Sequence, residues 1–95
     1  MPLFHVYILA SKRNGTLYIG VTNNIAARLD LHRQGKGSEF VKRYSVLSLV
    51  HVESYTHAEE AIQREKQLKK WNRAWKLRLI EQDNPEWRDL THLLA

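Results

Sequence analysis

The chain contains no cysteine. That excludes a disulfide scaffold, a thiol nucleophile and every zinc site built on thiolates. Two prolines and four glycines in 95 residues are too few for a collagen-like or linker-like chain. No apolar run approaches the roughly 20 residues of a membrane-spanning helix. The N-terminus lacks the basic-then-apolar pattern of a secretion signal, so the expected compartment is the cytoplasm, with no membrane among the partners. At this length a single domain is expected over residues 1–95, and the 43% hydrophobic content must serve one modest core.

Positive charge is in excess. Fifteen Lys and Arg against ten Asp and Glu give a net charge of +5. The excess is concentrated: from Arg64 to Arg78 there are seven basic residues and one acid, Glu65. Such a stripe favours a polyanionic partner, nucleic acid before membrane, because steering follows the local field. Lys69, Lys70, Arg73 and Lys76 are the candidate phosphate contacts. The solvated face of a lysine-rich helix would carry the same charges.

The pattern of periods predicts an α+β domain: a small, mostly antiparallel three-stranded sheet flanked by helices in the order β-β-α-β-α-α. Residues 4–10 and 16–21 read as strands around the turn signal Asn14-Gly15. Ile25 and Leu29 recur at helical spacing, which predicts a helix over about 25–34 capped by Asn23 or Asn24. Residues 46–53, imperfectly alternating, read as the third strand. Thr56-His57-Ala58-Glu59 matches a capping box for a helix reaching Lys70. A second helix is expected over 73–82 with Asn72 as its cap. Asn84-Pro85 predicts a restart, with Trp87 and Leu90 anchoring a last short helix and Trp75 anchoring the preceding one.

Several residues carry possible chemistry. Glu65 interrupts the stripe Ala58, Ala61, Ile62 and Leu68, where a carboxylate is costly unless it is paired, hydrogen-bonded or metal-bound. Pairing with Lys69 at i+4 would satisfy it without any chemistry. Tyr7 and Tyr18 each precede an isoleucine, so if Ile8 and Ile19 enter the core the two phenols share the other face. Packing is the ordinary role of a strand tyrosine. Gly20 would let backbone or substrate approach closely. Arg28 and His32, four apart, lie along one helix edge, and the arginine fork suits phosphate. Among the tryptophans, Trp71 beside Lys69 and Lys70 is the candidate for touching a base.

The ordered set Tyr7, Tyr18-Ile19-Gly20, Arg28, His32 and Glu65 resembles the GIY-YIG nucleases, and within them the small stand-alone YhbQ-like group. The resemblance spans residues 3 to about 90. His5-Val6 stands where the family has glycine-isoleucine in its first motif, and the family's late asparagine finds two candidates, Asn72 and Asn84. What the resemblance implies is metal-dependent hydrolysis of nucleic-acid phosphodiesters, DNA ahead of RNA. One of Tyr7 and Tyr18 would be the general base, Arg28 would stabilise phosphate charge, His32 would support, and Glu65 would hold one Mg²⁺ or Mn²⁺. A nucleic-acid-binding module of the same fold that does not cut is the alternative.

Overall fold

Strands β1 (Phe4–Ala10), β2 (Leu17–Thr22) and β3 (Ser48–Tyr55) form one antiparallel sheet in the order β2-β1-β3, in a computed structural model that describes residues 3–94. The central strand is buried from Val6 to Ala10 because both of its faces are covered, which is why its sequence is apolar at successive positions. Asn14 turns the β1–β2 loop in the left-handed region at φ 57°, a conformation that asparagine tolerates. The α+β architecture is the one the sequence predicts.

Alternation on β1 divides the core in two. Val6, Ile8 and Ala10 pack with Ile19, Val50, Ala61, Leu68, Ile80 and Trp87 on one face. Tyr7 and Leu9 pack with Ile25, Leu29, Val41, Val46 and Leu49 on the other. The second face is covered by α1 (Ile25–Arg33) and α2 (Glu39–Tyr44). The first is covered by α3 (Ala58–Lys70) and α4 (Arg73–Asp83), after which a short 3₁₀ turn, Leu90–Leu94, runs back past β3.

Four local expectations need correction. Helix α2 lies in a stretch that showed no periodicity, because only Val41 of its six residues is buried; Ser38 caps it by accepting from the Val41 amide at 3.3 Å. Strand β3 runs two residues later than 46–53, and a bulge opposite Ile8 and Leu9 accounts for its imperfect alternation. The capping box at Thr56 does not form. His57 is the cap and makes no side-chain bond, so Glu59 stands one place too early in the helix to reach back, although Glu59 and Glu60 still sit in the positive first turn. Trp75 is 47% exposed and anchors no core.

Two caps hold and one is replaced. Asn24 accepts from Ala27 and Asn72 from Trp75, at 3.2 and 2.9 Å. Asn84, rather than starting a helix, is buried and ties the C-terminal turn to the sheet. Its amide donates to the carbonyls of Val50 and Arg88, and its oxygen accepts from the Arg88 amide. The turn it shapes carries Trp87 into the first core cluster at φ 57°.

Candidate active site

Register places the two phenols. Tyr7 lies opposite Gly20, and Tyr18 opposite Leu9, so both rings project from the α1–α2 face with centroids 6.3 Å apart. Tyr7 has no exposed surface, whereas Tyr18 is partly open to solvent. Gly20 permits this arrangement: a Cβ there would overlap the Tyr7 hydroxyl and stand 2.5 Å from Cζ. The Tyr7 ring therefore lies across the backbone of edge strand β2, and its hydroxyl is carried toward the sheet margin.

Helix α1 brings the third ring. Ile25, Leu29 and His32 form its buried edge, and His32 Nε2 lies 3.1 Å from the Tyr7 hydroxyl. The His32 ring stands edge-on to Tyr18 with centroids 5.4 Å apart. Its Nδ1 is buried and meets no hydrogen-bond partner among the described residues, as is the case for Nδ1 of His5 on β1.

The electrostatics link the remaining two residues to this cluster. Burial, reinforced by the charge of Tyr18, pushes the Tyr7 phenol up to about 12, while the Arg28 guanidinium pulls it down and the Glu65 carboxylate raises it further. Burial also pushes His32 below its ordinary value, and Arg28 adds to the effect, so the imidazole is neutral near pH 7. Arg28 and Glu65 thus both act on the Tyr7 phenol. Glu65 does so from α3, which packs against β1 and β2. Its side chain is largely covered and its carboxylate lies 3.4 Å from Lys69 Nζ, so the i+4 pairing forms as well. Ile62, expected beside it on the buried stripe, is 42% exposed.

The donor set bears on a divalent ion. Among the described residues no three His, Asp or Glu side chains cluster as metal ligands. A single carboxylate is nonetheless a fitting donor for Mg²⁺, which keeps several waters and is completed by substrate phosphates rather than by an all-protein cage. Glu65, largely covered by its surroundings, would be the residue to hold such an ion.

The structure divides the basic segment. Arg64 is committed to Glu53 through Nε at 2.8 Å and Nη2 at 3.1 Å, and its guanidinium lies over the Trp71 ring. Arg73 donates to the carbonyls of Asn14 and Gly15, both at 2.7 Å, bracing the hairpin loop. Lys69 faces Glu65, Lys70 is exposed, and Lys76 lies beside Arg73 along the notch under the hairpin. Of the two late asparagines, Asn72 caps α4 and Asn84 ties the C-terminal turn.

Two clusters escaped the sequence reading. After the bulge, His51, Glu53 and Tyr55 share the α3 face, and Glu53 accepts from Tyr55 at 2.7 Å and from Arg64, with His51 Nε2 at 2.8 Å. Those bonds outweigh its burial and hold its carboxyl down at about 2. The period of two among His51, Glu53 and Tyr55 was the available signal. On α2, Phe40 and Tyr44 extend the aromatic row outward from Tyr18, and their i, i+4 spacing was the sign of it.

Comparison with known proteins decides the family. The GIY-YIG catalytic domain matches residues 3–78. The chain belongs to the GIY-YIG family. A UPF0213 protein of Staphylococcus haemolyticus is 38% identical to it over 82 residues, spanning 86% of this chain and 99% of the relative. One from Syntrophus aciditrophicus is 45% identical over 83 residues, spanning 86% and 93%. The solution NMR structure of a UPF0213 protein from Bacillus halodurans, 27% identical, covers 96% of each chain with a TM-score of 0.58. The GIY-YIG fold, a nuclease-superfamily fold, implies nucleic-acid binding in general terms. Among the described residues no helix is long and apolar enough to cross a membrane.

Proposed function

We propose that this GIY-YIG protein is a divalent-metal-dependent endonuclease that hydrolyses phosphodiester bonds, with DNA as the substrate. The observation that supports this best is the gathering of Tyr7, Tyr18 and His32 at the margin of β2, within reach of the charges of Arg28 and Glu65.

The two tyrosines divide the work by exposure. Tyr7 is sealed from solvent and holds its proton, so it positions: its hydroxyl is paired with the neutral His32, and its ring stands beside Tyr18. Tyr18 is the phenol that solvent reaches, and it takes the proton from the attacking water. Phenols as a class are weak bases near neutrality. A bound cation beside it would favour the phenolate. Arg28 meets the negative charge that builds on the phosphoryl oxygens, where a planar fork is most effective. Glu65 would hold Mg²⁺ or Mn²⁺, which would supply Lewis-acid stabilisation of the phosphoryl oxygens.

Purified protein should cut nucleic acid only with Mg²⁺ or Mn²⁺ present. Glu65→Ala should abolish cutting and leave binding nearly intact, because the lysines remain. Cutting by Glu65→Ala at the wild-type rate would refute the metal role. The Glu65–Lys69 pair favours a second reading, a binding module that does not cut. Firm binding with no cutting by folded wild type, across single strands, duplexes, flaps and junctions, would select it.

A further inference from the structure

The aromatic rings of the candidate site do not end at the site. From Tyr7 the row passes to Tyr18 at 6.3 Å, to Phe40 at 6.3 Å and to Tyr44 at 5.0 Å, so α2 carries it outward along the surface. Burial falls along the way: Tyr7 is sealed, Tyr18 is partly open, and Phe40 and Tyr44 are 42% and 48% exposed. A six-residue helix that buries only Val41 gains little by holding two large rings in water. Their neighbours carry an excess of positive charge. Residues 36–44 contain Lys36, Lys42 and Arg43 against the single acid Glu39, and the Arg43 guanidinium lies over the Tyr44 ring at 5.7 Å.

From this we infer that the Phe40–Tyr44 face of α2 is a base-stacking platform for unpaired nucleotides adjoining the bond held at Tyr18, which makes single-stranded DNA the substrate at that position. The inference rests on the proposed nucleic-acid function and adds the class of strand. Three features set the occupant. The row is continuous with Tyr18, so whatever lies on it must be continuous with what lies at Tyr18. Aromatic faces interleaved with cations suit bases and phosphates together, and stacking is available only to bases not already paired. A net positive rim disfavours an ordinary basic partner surface.

The test uses the full chain and fluorescence anisotropy with labelled DNA in EDTA, so that nothing is cut. One probe is a single-stranded oligonucleotide and the other is the blunt duplex of the same sequence. Wild type should bind the single strand more tightly. The double variant Phe40→Ala/Tyr44→Ala should lose affinity for it by about five- to a hundredfold, the range expected for one lost base stack, and by more if each ring carries a base. Its affinity for duplex should stay within about twofold, as should its salt dependence on the single strand, because no cation is removed. Phe40→Leu keeps apolar bulk and removes the stacking face, and should behave like Phe40→Ala. Circular dichroism of each variant establishes that it is folded. An equal loss on both probes, no loss on the single strand, or full retention by Phe40→Leu would overturn the platform while leaving nucleic-acid binding in place. Wild type that binds neither probe would overturn both. Unaltered DNA binding combined with self-association that the double variant abolishes would assign the face to a second copy of the chain and overturn the platform.

Discussion

The two faces of the sheet are built from alternate residues of one strand, yet they are finished differently. Under α3 and α4, Val6, Ile8 and Ala10 meet Ala61, Leu68 and Ile80, and His51, Tyr55 and Arg64 all bond to Glu53 at the margin. Under α1 and α2, Tyr7 occupies the equivalent central place, and its hydroxyl meets His32 Nε2. One face is closed mainly by aliphatic side chains. The other brings two phenols and an imidazole together beside a close backbone approach at Gly20. The comparison assigns separate tasks to residues only one position apart.

The largest separation should come from truncating one fully buried side chain and removing one hydroxyl. Leu68→Ala empties a sealed site under α3 and should cost about 2–5 kcal/mol of unfolding free energy. At temperatures where it remains folded, its single-turnover cleavage rate should match wild type. Tyr7→Phe should cost only about 1 kcal/mol for the lost bond to His32 and yet slow cleavage, because it changes how the ring cluster is held. Denaturant melts and single-turnover rates on the same samples measure both quantities. The contrast breaks if Leu68→Ala slows cutting as much as Tyr7→Phe does.

Acid should act on both faces, each in its own window. Glu53 has its folded-state value held down at about 2, so its contribution is complete above the ordinary carboxylate value and is lost as pH falls from about 4.5 toward 2. His32 is pushed below its ordinary value of 6.5, so protonation favours the unfolded chain, and its contribution begins to fall once pH drops below that value. Glu53→Gln should therefore flatten the acid limb of stability below about pH 4.5, a difference of order 3 kcal/mol at its extreme. The loss that begins below pH 6.5 should remain. Stability curves against pH that coincide for the two proteins below pH 4.5 would show that the Glu53 cluster does not bear the acid response.

Gly20→Ala tests the other face at the point of closest approach. The new methyl would overlap the hydroxyl and ring of Tyr7, which has no room to retreat in a sealed site. A cost of about 1–3 kcal/mol is expected from overpacking. Displacement of the tyrosine pair should also lower cleavage by about a hundredfold. Thermal unfolding and single-turnover kinetics read the two effects, and wild-type cutting by a correctly folded Gly20→Ala would show that the Tyr7–Tyr18 geometry is not used.

Most of this architecture was legible where residues repeat a period or carry a strong cap. The hairpin, the placement of α1, α3 and α4, and the shared face of Tyr7 and Tyr18 follow from alternation, from Asn14-Gly15 and from Asn24 and Asn72. Helix α2 was invisible because a single buried valine sets no period. His51, Glu53 and Tyr55 keep a period of two beyond the bulge, but the arginine that completes their cluster, Arg64, comes from a separate segment. Trp75 misled because a large apolar ring at helical spacing looks the same in sequence whether it faces the core or water. The contact of His32 with Tyr7 and the close approach of Tyr7 to Gly20 are consequences of packing between distant segments, and no local pattern encodes them.

The smallest expected change concerns the lysines, and it separates binding charge from structural charge. Arg73 is bonded to two hairpin carbonyls, whereas Lys70 is exposed and belongs to none of the ion pairs within the described residues. Replacing Lys70 with Gln should leave stability within about 0.5 kcal/mol. It should weaken DNA binding slightly at low salt and reduce the slope of log affinity against log salt by about one, as one phosphate contact is lost. Replacing Arg73 with Gln should do the reverse, loosening the hairpin with a measurable loss of stability and a nearly unchanged salt slope. Anisotropy titrations at several salt concentrations, paired with melts, give both quantities for both variants. If the slope drops for Arg73→Gln and not for Lys70→Gln, the guanidinium leaves the hairpin for the phosphates, and the division between bracing and binding within α3 and α4 must be redrawn.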